Sequence, residues 1–285
     1  AARERPPNPP EPIDSDANSH KNKLIIQTMS VSISPAIPRP IIPFLMKGFV
    51  NPSCMMERME LWHALNRGVD GRNLFLDSQD YARFVHNLYE FNDAAPADNL
   101  SRLFDPSSMR DFVNPSFRKR RQLLVDIHGW VLMKNHYHLL LSERVAGGIS
   151  LFLRKLNVGY ANYFNERYER KGTLFQGRTK KILIEHQSHF LYILHYIHLN
   201  PLDYLRGAQE WRIRSKSDIQ SVSDALDYLD SYRWSSYLDY TGKKNFPSIL
   251  TTSLFKDALG DYQNSLSEYL SAAEYDNNAT KFTLE

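Results

Sequence analysis

Two apolar runs, QLLVDIHGWVLM and HYHLLLS, stand on either side of a two-residue break, Lys134-Asn135. Runs of this length so closely joined pair antiparallel as a β-hairpin. No other feature restricts the fold as much, and the remaining segments have to be arranged around this pair. Upstream, ELWHALNRG from Glu60 reads as a strand ending at a glycine turn. DSQDYARFVHNLYEF follows as a helix, with Asp77 or Ser78 as N-cap and Tyr81, Phe84, Val85 and Leu88 on one face. Downstream, ISLFLRKLNVGYANYFNERYER is a long amphipathic helix with Ile149, Phe152, Leu153, Leu156, Tyr160 and Tyr163 as its stripe, stopped near Gly172. RTKKILI is a further strand, and QSHFLYILHYIHLN is a helix closed by Pro201. YRWSSYLDY and a helical region near 253–273 complete the chain.

The order strand, helix, strand, strand, helix, strand, helix predicts an α+β fold. It is a ferredoxin-like split βαβ antiparallel sheet with helices on one face, plus a C-terminal helical extension. Residues 1–56 are rich in Pro, Ser and Asn and are expected to be a disordered tail. Met55, Met56 and Met59 lie just before the first patterned segment, so the natural start is expected there and the tail is read as an upstream extension. The folded domain is placed at 57–245, with insertions at about 92–119 and 208–228, and the extension at 246–285.

A formal charge of only +3 excludes a chain-wide basic coat, so any nucleic-acid contact has to be local. Arg118-Lys119-Arg120-Arg121 is one such patch, and the span from Arg167 to Lys181 is another. A single cysteine, Cys54, excludes an internal disulfide and a thiolate metal cage, which suits a reducing cytoplasm. The apolar run Leu24–Val50 is interrupted by Pro35, Pro38, Arg39, Pro40 and Pro43, so it is read neither as a spanning helix nor as a secretory signal.

In a strand His136 and His138 share a face and Tyr137 points to the other. The pair is either an ordinary wet strand face or two ligands for a divalent ion. On the later helix, Phe190, Ile193, Leu194 and Ile197 form the buried stripe, and a turn of about 100° per residue gathers His189, Tyr196 and Asn200 beside it. Tyr196 and Asn200, four apart, are neighbours: a phenol able to act as nucleophile and an amide oxygen able to bind a hard cation. The chain has 16 tyrosines, and Tyr160, Tyr163, Tyr192 and Tyr204 compete on periodicity alone. His63 and His128 read as structural, and Trp234, Ser235 and Ser236 as packing.

Taken together, LMKNHYHLLL, RYERKGTLFQGRTKKILI, YIHLNP and YRWSSY resemble the REP-associated tyrosine transposases, a single-tyrosine branch of the HUH endonucleases. An early strand of the WHALNRG type accompanies them, and the resemblance covers roughly residues 58–240. Two positions depart from the family pattern: Tyr137 stands where a plain aliphatic is usual, and Lys134 where Pro commonly precedes the Asn. The resemblance implies an HUH endonuclease fold. It implies metal ligation by His136, His138 and Asn200, with Mg²⁺ or Mn²⁺ as the ion, and a nucleophilic Tyr196. The implied activity cuts single-stranded DNA beside a hairpin, leaving a 5′-phosphotyrosine and a free 3′-hydroxyl, and reversal joins strands. Rejoining of this kind needs no ATP, in keeping with the lack of a Walker-type motif.

Arg167, Arg170, Lys171, Arg178, Lys180 and Lys181 are expected to contact phosphates, with Phe175 or a tyrosine stacking on an unpaired base and Gln176 either contacting a base or closing a turn. A solvated helix end and edge strand is the plain alternative for this segment. The expected partner is hairpin-forming single-stranded DNA, with no membrane, for a monomer or homodimer in the bacterial cytoplasm at the nucleoid. Two competing functions are a non-catalytic hairpin-binding module on the same scaffold and a hydrolytic metal nuclease that forms no tyrosyl adduct.

Overall fold

The structure, a computed structural model, describes residues 59–96, 121–206, 211 and 221–273. The expected tail at 1–56, most of the first insertion, residues 118–120 of the first basic patch, and most of 208–220 lie outside the described residues.

Strand β1 (Leu61–Arg67) is followed by helix α1 (Ser78–Glu90). Asp77 caps α1, its side chain accepting from Gln79 N at 2.9 Å and Asp80 N at 3.1 Å. β2 (Val125–Met133) and β3 (His136–Glu143) form the hairpin across Lys134-Asn135, and α2 (Gly148–Arg167) leads to β4 (Lys180–Leu183). The sheet order is β2-β3-β1-β4 with every neighbouring pair antiparallel. β1 and β2 are therefore parallel with β3 inserted between them, the split arrangement read from the sequence.

Helix α3 (Gln187–Leu199) runs into a 3-10 turn at Asn200–Tyr204. Four short helices follow: α4 (Val222–Ser231), α5 (Tyr237–Tyr240), α6 (Ser253–Leu259) and α7 (Tyr262–Ala273). The second expected insertion therefore ends inside a helix. Among the described residues no helix is long and apolar enough to cross a membrane.

Two cores lie on opposite sides of the sheet. Ala64, Trp130, Leu132, Tyr137, Leu139 and Leu141 pack against α1 and α2, while Leu61, Val131, Met133 and Leu140 pack against α3 and the C-terminal helices. The expectation of helices on one face is corrected here. It holds for the two crossover helices, but α3 covers the other face. The physical reason is that α3 is apolar nearly all round, since Phe190, Leu191, Ile193, Leu194, His195, Tyr196, Ile197, His198 and Leu199 are all buried. A helix of that kind has to be enclosed on two sides. The sheet provides one side. On the other, His195 stacks between Tyr262 and Tyr269, and His198 bonds to the Tyr262 hydroxyl at 2.6 Å and Ser236 Oγ at 2.7 Å.

A β-bulge in β2 adjusts the sheet for this double covering. Ile127 pairs with Leu141 and Gly129 with Leu140, so His128 is the extra residue and the facing of later side chains is reset. Gly129 then faces α3, where a Cβ would sit 2.7 Å from Leu194 Cδ1, so any larger residue would require the Leu194 side chain to move. On α2 the stripe ends at Phe164, which is buried, rather than at the half-buried Tyr163.

Candidate metal and nucleophile site

β3 presents His136 and His138 on the face that α3 covers. Their ring centres are 5.0 Å apart, edge to face. Tyr137 points into the opposite core, its hydroxyl donating to Asn157 Oδ1 at 2.8 Å, and burial pushes its pKa up to about 12. The alternation expected for the histidine pair is therefore present.

α3 brings Tyr196 to the same place. Its ring centre lies 5.7 Å from that of His138 and 6.0 Å from that of His63, edge-on to both. Tyr196 is 1 % exposed. Tyr192 at 5.8 Å and Trp211 at 5.9 Å enclose it further, and the Trp211 indole N–H donates to Asp203 Oδ1 at 2.8 Å. Asn200, one turn on, is buried and its amide nitrogen donates to the Tyr196 carbonyl at 2.8 Å. Pro201 has no N–H to offer the end of the helix, and the Asn200 side chain supplies a donor there. An amide oxygen is a suitable ligand type for a hard cation.

His63 was read as structural, yet it belongs to this cluster. The register sets His63 opposite Leu140 and Leu65 opposite His138, so His63 and His138 are diagonal neighbours on one face. His63 Nε2 lies 2.9 Å from His138 Nδ1, with the ring planes only 14° apart. Burial above all, then the proximity of His189 and of the Lys180 ammonium, lowers the His63 pKa to about 3. Burial and the neighbouring His186 lower His189 to about 4. Both imidazoles are therefore neutral at physiological pH. Asn135, read only as a turn residue, also takes part: its Oδ1 lies 2.7 Å from His136 Nδ1. The signal available for His63 was its parity on a strand that pairs with β3, but the pairing register was not legible before folding.

The spacing of the two ring centres is compatible with a shared ion. An ion about 2.0–2.1 Å from an imidazole nitrogen is about 3.2 Å from that ring's centre, so two rings at tetrahedral or octahedral angles have centres about 4.5–5.2 Å apart. The observed 5.0 Å falls in that interval. Among the described residues no group of three or more His, Cys, Asp or Glu side chains is placed to hold a metal. An ion held by the two imidazoles would need its further ligands from oxygens, such as the Asn200 amide, water or a phosphate.

The expected DNA-binding residues divide into two groups. Arg167 is committed to carboxylates, at 2.6 Å from Asp77 Oδ2 and 2.7 Å from Asp80 Oδ1. Arg170 bonds to Asn165 Oδ1 and the Thr173 carbonyl. Phe175 is buried against Tyr137 and Tyr160 and presents no face to stack a base. These three hold the end of α2 and the following loop in place. The sequence favoured surface binding because it could not show that aspartates at the start of α1 lie across from Arg167. Lys171, Gln176, Arg178, Lys180 and Lys181 are exposed. Lys180 pairs with Leu65, which puts it on the histidine face; Lys181 lies on the other, bonded to Ser150 Oγ at 3.1 Å.

No protein-family model and no curated protein matches the chain. A solved structure, described as that of the REP associates tyrosine transposase bound to a REP hairpin, aligns over 68 % of this chain and 87 % of that one. The TM-score is 0.40 and the sequence identity 13 %.

Proposed function

We propose that this chain is a metal-dependent single-stranded DNA endonuclease and strand transferase of the REP-associated tyrosine transposase kind, with an HUH endonuclease fold, acting beside DNA hairpins. The observation that carries the reading is the placement of the Tyr196 ring against His138, across the gap between α3 and β3.

In the proposed reaction the Tyr196 hydroxyl oxygen forms a bond to the scissile phosphorus and the bond to the 3′ oxygen breaks. The phenol gives up its proton and the departing 3′ oxygen takes one up, so charge and atoms balance. A 5′-phosphotyrosine and a 3′-hydroxyl result, and attack by another 3′-hydroxyl reverses the step without ATP. His136, His138 and Asn200 would hold the Mg²⁺ or Mn²⁺ ion, which when bound polarises a non-bridging phosphate oxygen. Lys180 on the same face, with Lys171, Arg178 and Lys181 nearby in sequence, supplies positive charge for the strand.

The burial of Tyr196 beneath Trp211 favours a second reading, a hairpin-binding protein that does not cut. Incubation with single-stranded hairpin DNA and Mn²⁺ separates the two. The expected result is a denaturation-resistant protein–DNA adduct, lost with EDTA and lost in Tyr196→Phe. Binding without any adduct establishes the second reading, and an adduct that survives in Tyr196→Phe removes the tyrosine assignment. Cleaved ends free of protein in both proteins indicate hydrolysis.

A further inference from the structure

We propose that His63 is a positioning residue that holds His138 as the Nδ1-protonated tautomer, placing the lone pair of His138 on Nε2 for the divalent ion. The proposal rests on the metal-site reading above and assigns a task to a residue outside the expected ligand set.

The contact between the two rings is a hydrogen bond in the ring plane. A ring radius of about 1.2 Å on each side of a linear bond adds about 2.4 Å to the nitrogen–nitrogen distance. With 2.9 Å between nitrogens the centres should then lie about 5.3 Å apart, against 5.1 Å observed at an interplanar angle of 14°. Face-to-face stacking at 5.1 Å would not bring two edge nitrogens to 2.9 Å. One nitrogen of this bond carries the proton and the other accepts it. That single choice determines which nitrogen of His138 keeps a lone pair.

His136 shows the same construction. Its Nδ1 meets Asn135 Oδ1 at 2.7 Å, and an amide oxygen can only accept, so Nδ1 carries the proton and the lone pair lies on Nε2. A metal-binding imidazole generally donates its second nitrogen to an acceptor in this way, which fixes both tautomer and ring orientation. For His138 the acceptor is His63 Nε2. His63 then carries its own proton on Nδ1, which is buried with no hydrogen-bond partner among the described residues. Both partners are held by the backbone. His63 is on β1, His138 on β3, and the antiparallel pairing from Leu61↔Ser142 to Arg67↔His136 fixes their diagonal offset. The sheet that places the ligand also places its orienter.

Histidine tautomers of the metal-free, ¹⁵N-labelled protein can be read directly from long-range ¹H–¹⁵N correlation spectra. Assignment comes from His63→Gln, His63→Leu and His138→Gln. The expected result is Nδ1–H on His138 in the wild type. It should be retained in His63→Gln, whose Oε1 can accept in place of Nε2, and disturbed in His63→Leu. Mn²⁺ affinity, followed by calorimetry with the metal alone, should fall about 10- to 100-fold in His63→Leu and recover in His63→Gln. Nε2–H on His138 in the wild type overturns the proposal without need of any variant, as does equal Mn²⁺ affinity in His63→Leu and wild type. Nδ1–H on His138 together with no Mn²⁺ binding to the wild type overturns the metal-site reading instead, and leaves the orienting bond standing.

Discussion

Arg167→Met tests whether the basic segment after α2 is an interface or part of the frame. The Asp80 carboxylate is fully buried, and Arg167 Nη1 donates to it at 2.7 Å. Removing the guanidinium leaves a buried carboxylate without its counter-charge, a change that generally costs about 3–5 kcal/mol. Three other donors remain on Asp80: the hydroxyls of Tyr163 at 3.0 Å and Tyr168 at 2.8 Å, and Leu76 N at 2.8 Å. They move the expectation to the lower end of that range. The second pair, to the half-exposed Asp77, adds at most about 1 kcal/mol. A loss of about 3 kcal/mol, or about 6–12 °C in Tm for a domain of this size, is expected. Methionine keeps the aliphatic stem, so the effect reports the loss of the guanidinium's charge and hydrogen bonds together. Urea unfolding of Arg167→Met, Asp80→Asn and the double variant gives the coupling as a double-mutant cycle. In the same proteins, affinity for a hairpin oligonucleotide should stay within about twofold, with an unchanged salt slope. A loss below about 1 kcal/mol, or a fall in affinity with the salt slope reduced by about one, would show that the pairing to Asp80 has been misjudged.

Acid should unfold the protein early. His63 and His195 are buried and His189 half-buried, with pKa values pushed down to about 3, 4 and 4 in the order His63, His195 and His189, and burial lowers His128 and His198 as well. His63, His189 and His195 stay neutral in the fold while the unfolded chain takes up a proton at each below about pH 6.5. Stability is therefore fully present above about 6.5 and lost as pH falls toward the folded values, by about 1.4 kcal/mol per pH unit for each group. Urea midpoints measured from pH 7.5 to 4.5 should fall steadily, and a flat profile down to pH 5 would contradict this. Gly159→Ala should destabilise by about 1–3 kcal/mol although alanine is the better helix former. Its Cβ would meet the Phe91 ring at 2.3–2.4 Å, and the check is whether adding Phe91→Leu restores stability.

The sequence by itself determined the local pieces. A two-residue break between apolar runs can only be a tight turn, Asp77 can cap because its carboxylate reaches the next amide groups, and period-two alternation puts His136 and His138 together whatever surrounds them. The strand and helix order was enough for the split antiparallel sheet. What tertiary structure alone decided is each contact between residues far apart in the chain. α3 was legible as a helix, but its enclosure on two sides depends on Tyr262 and Tyr269, more than 60 residues later, stacking on His195. His63 came to His138 through a pairing register that no local pattern specifies. Arg167 is paired with carboxylates because Asp77 and Asp80, about 90 residues earlier, lie opposite it. Backbone periodicity acts over a few residues and is written in the chain. The partner of a polar side chain depends on which elements end up adjacent, and that is settled only when both cores close on the sheet.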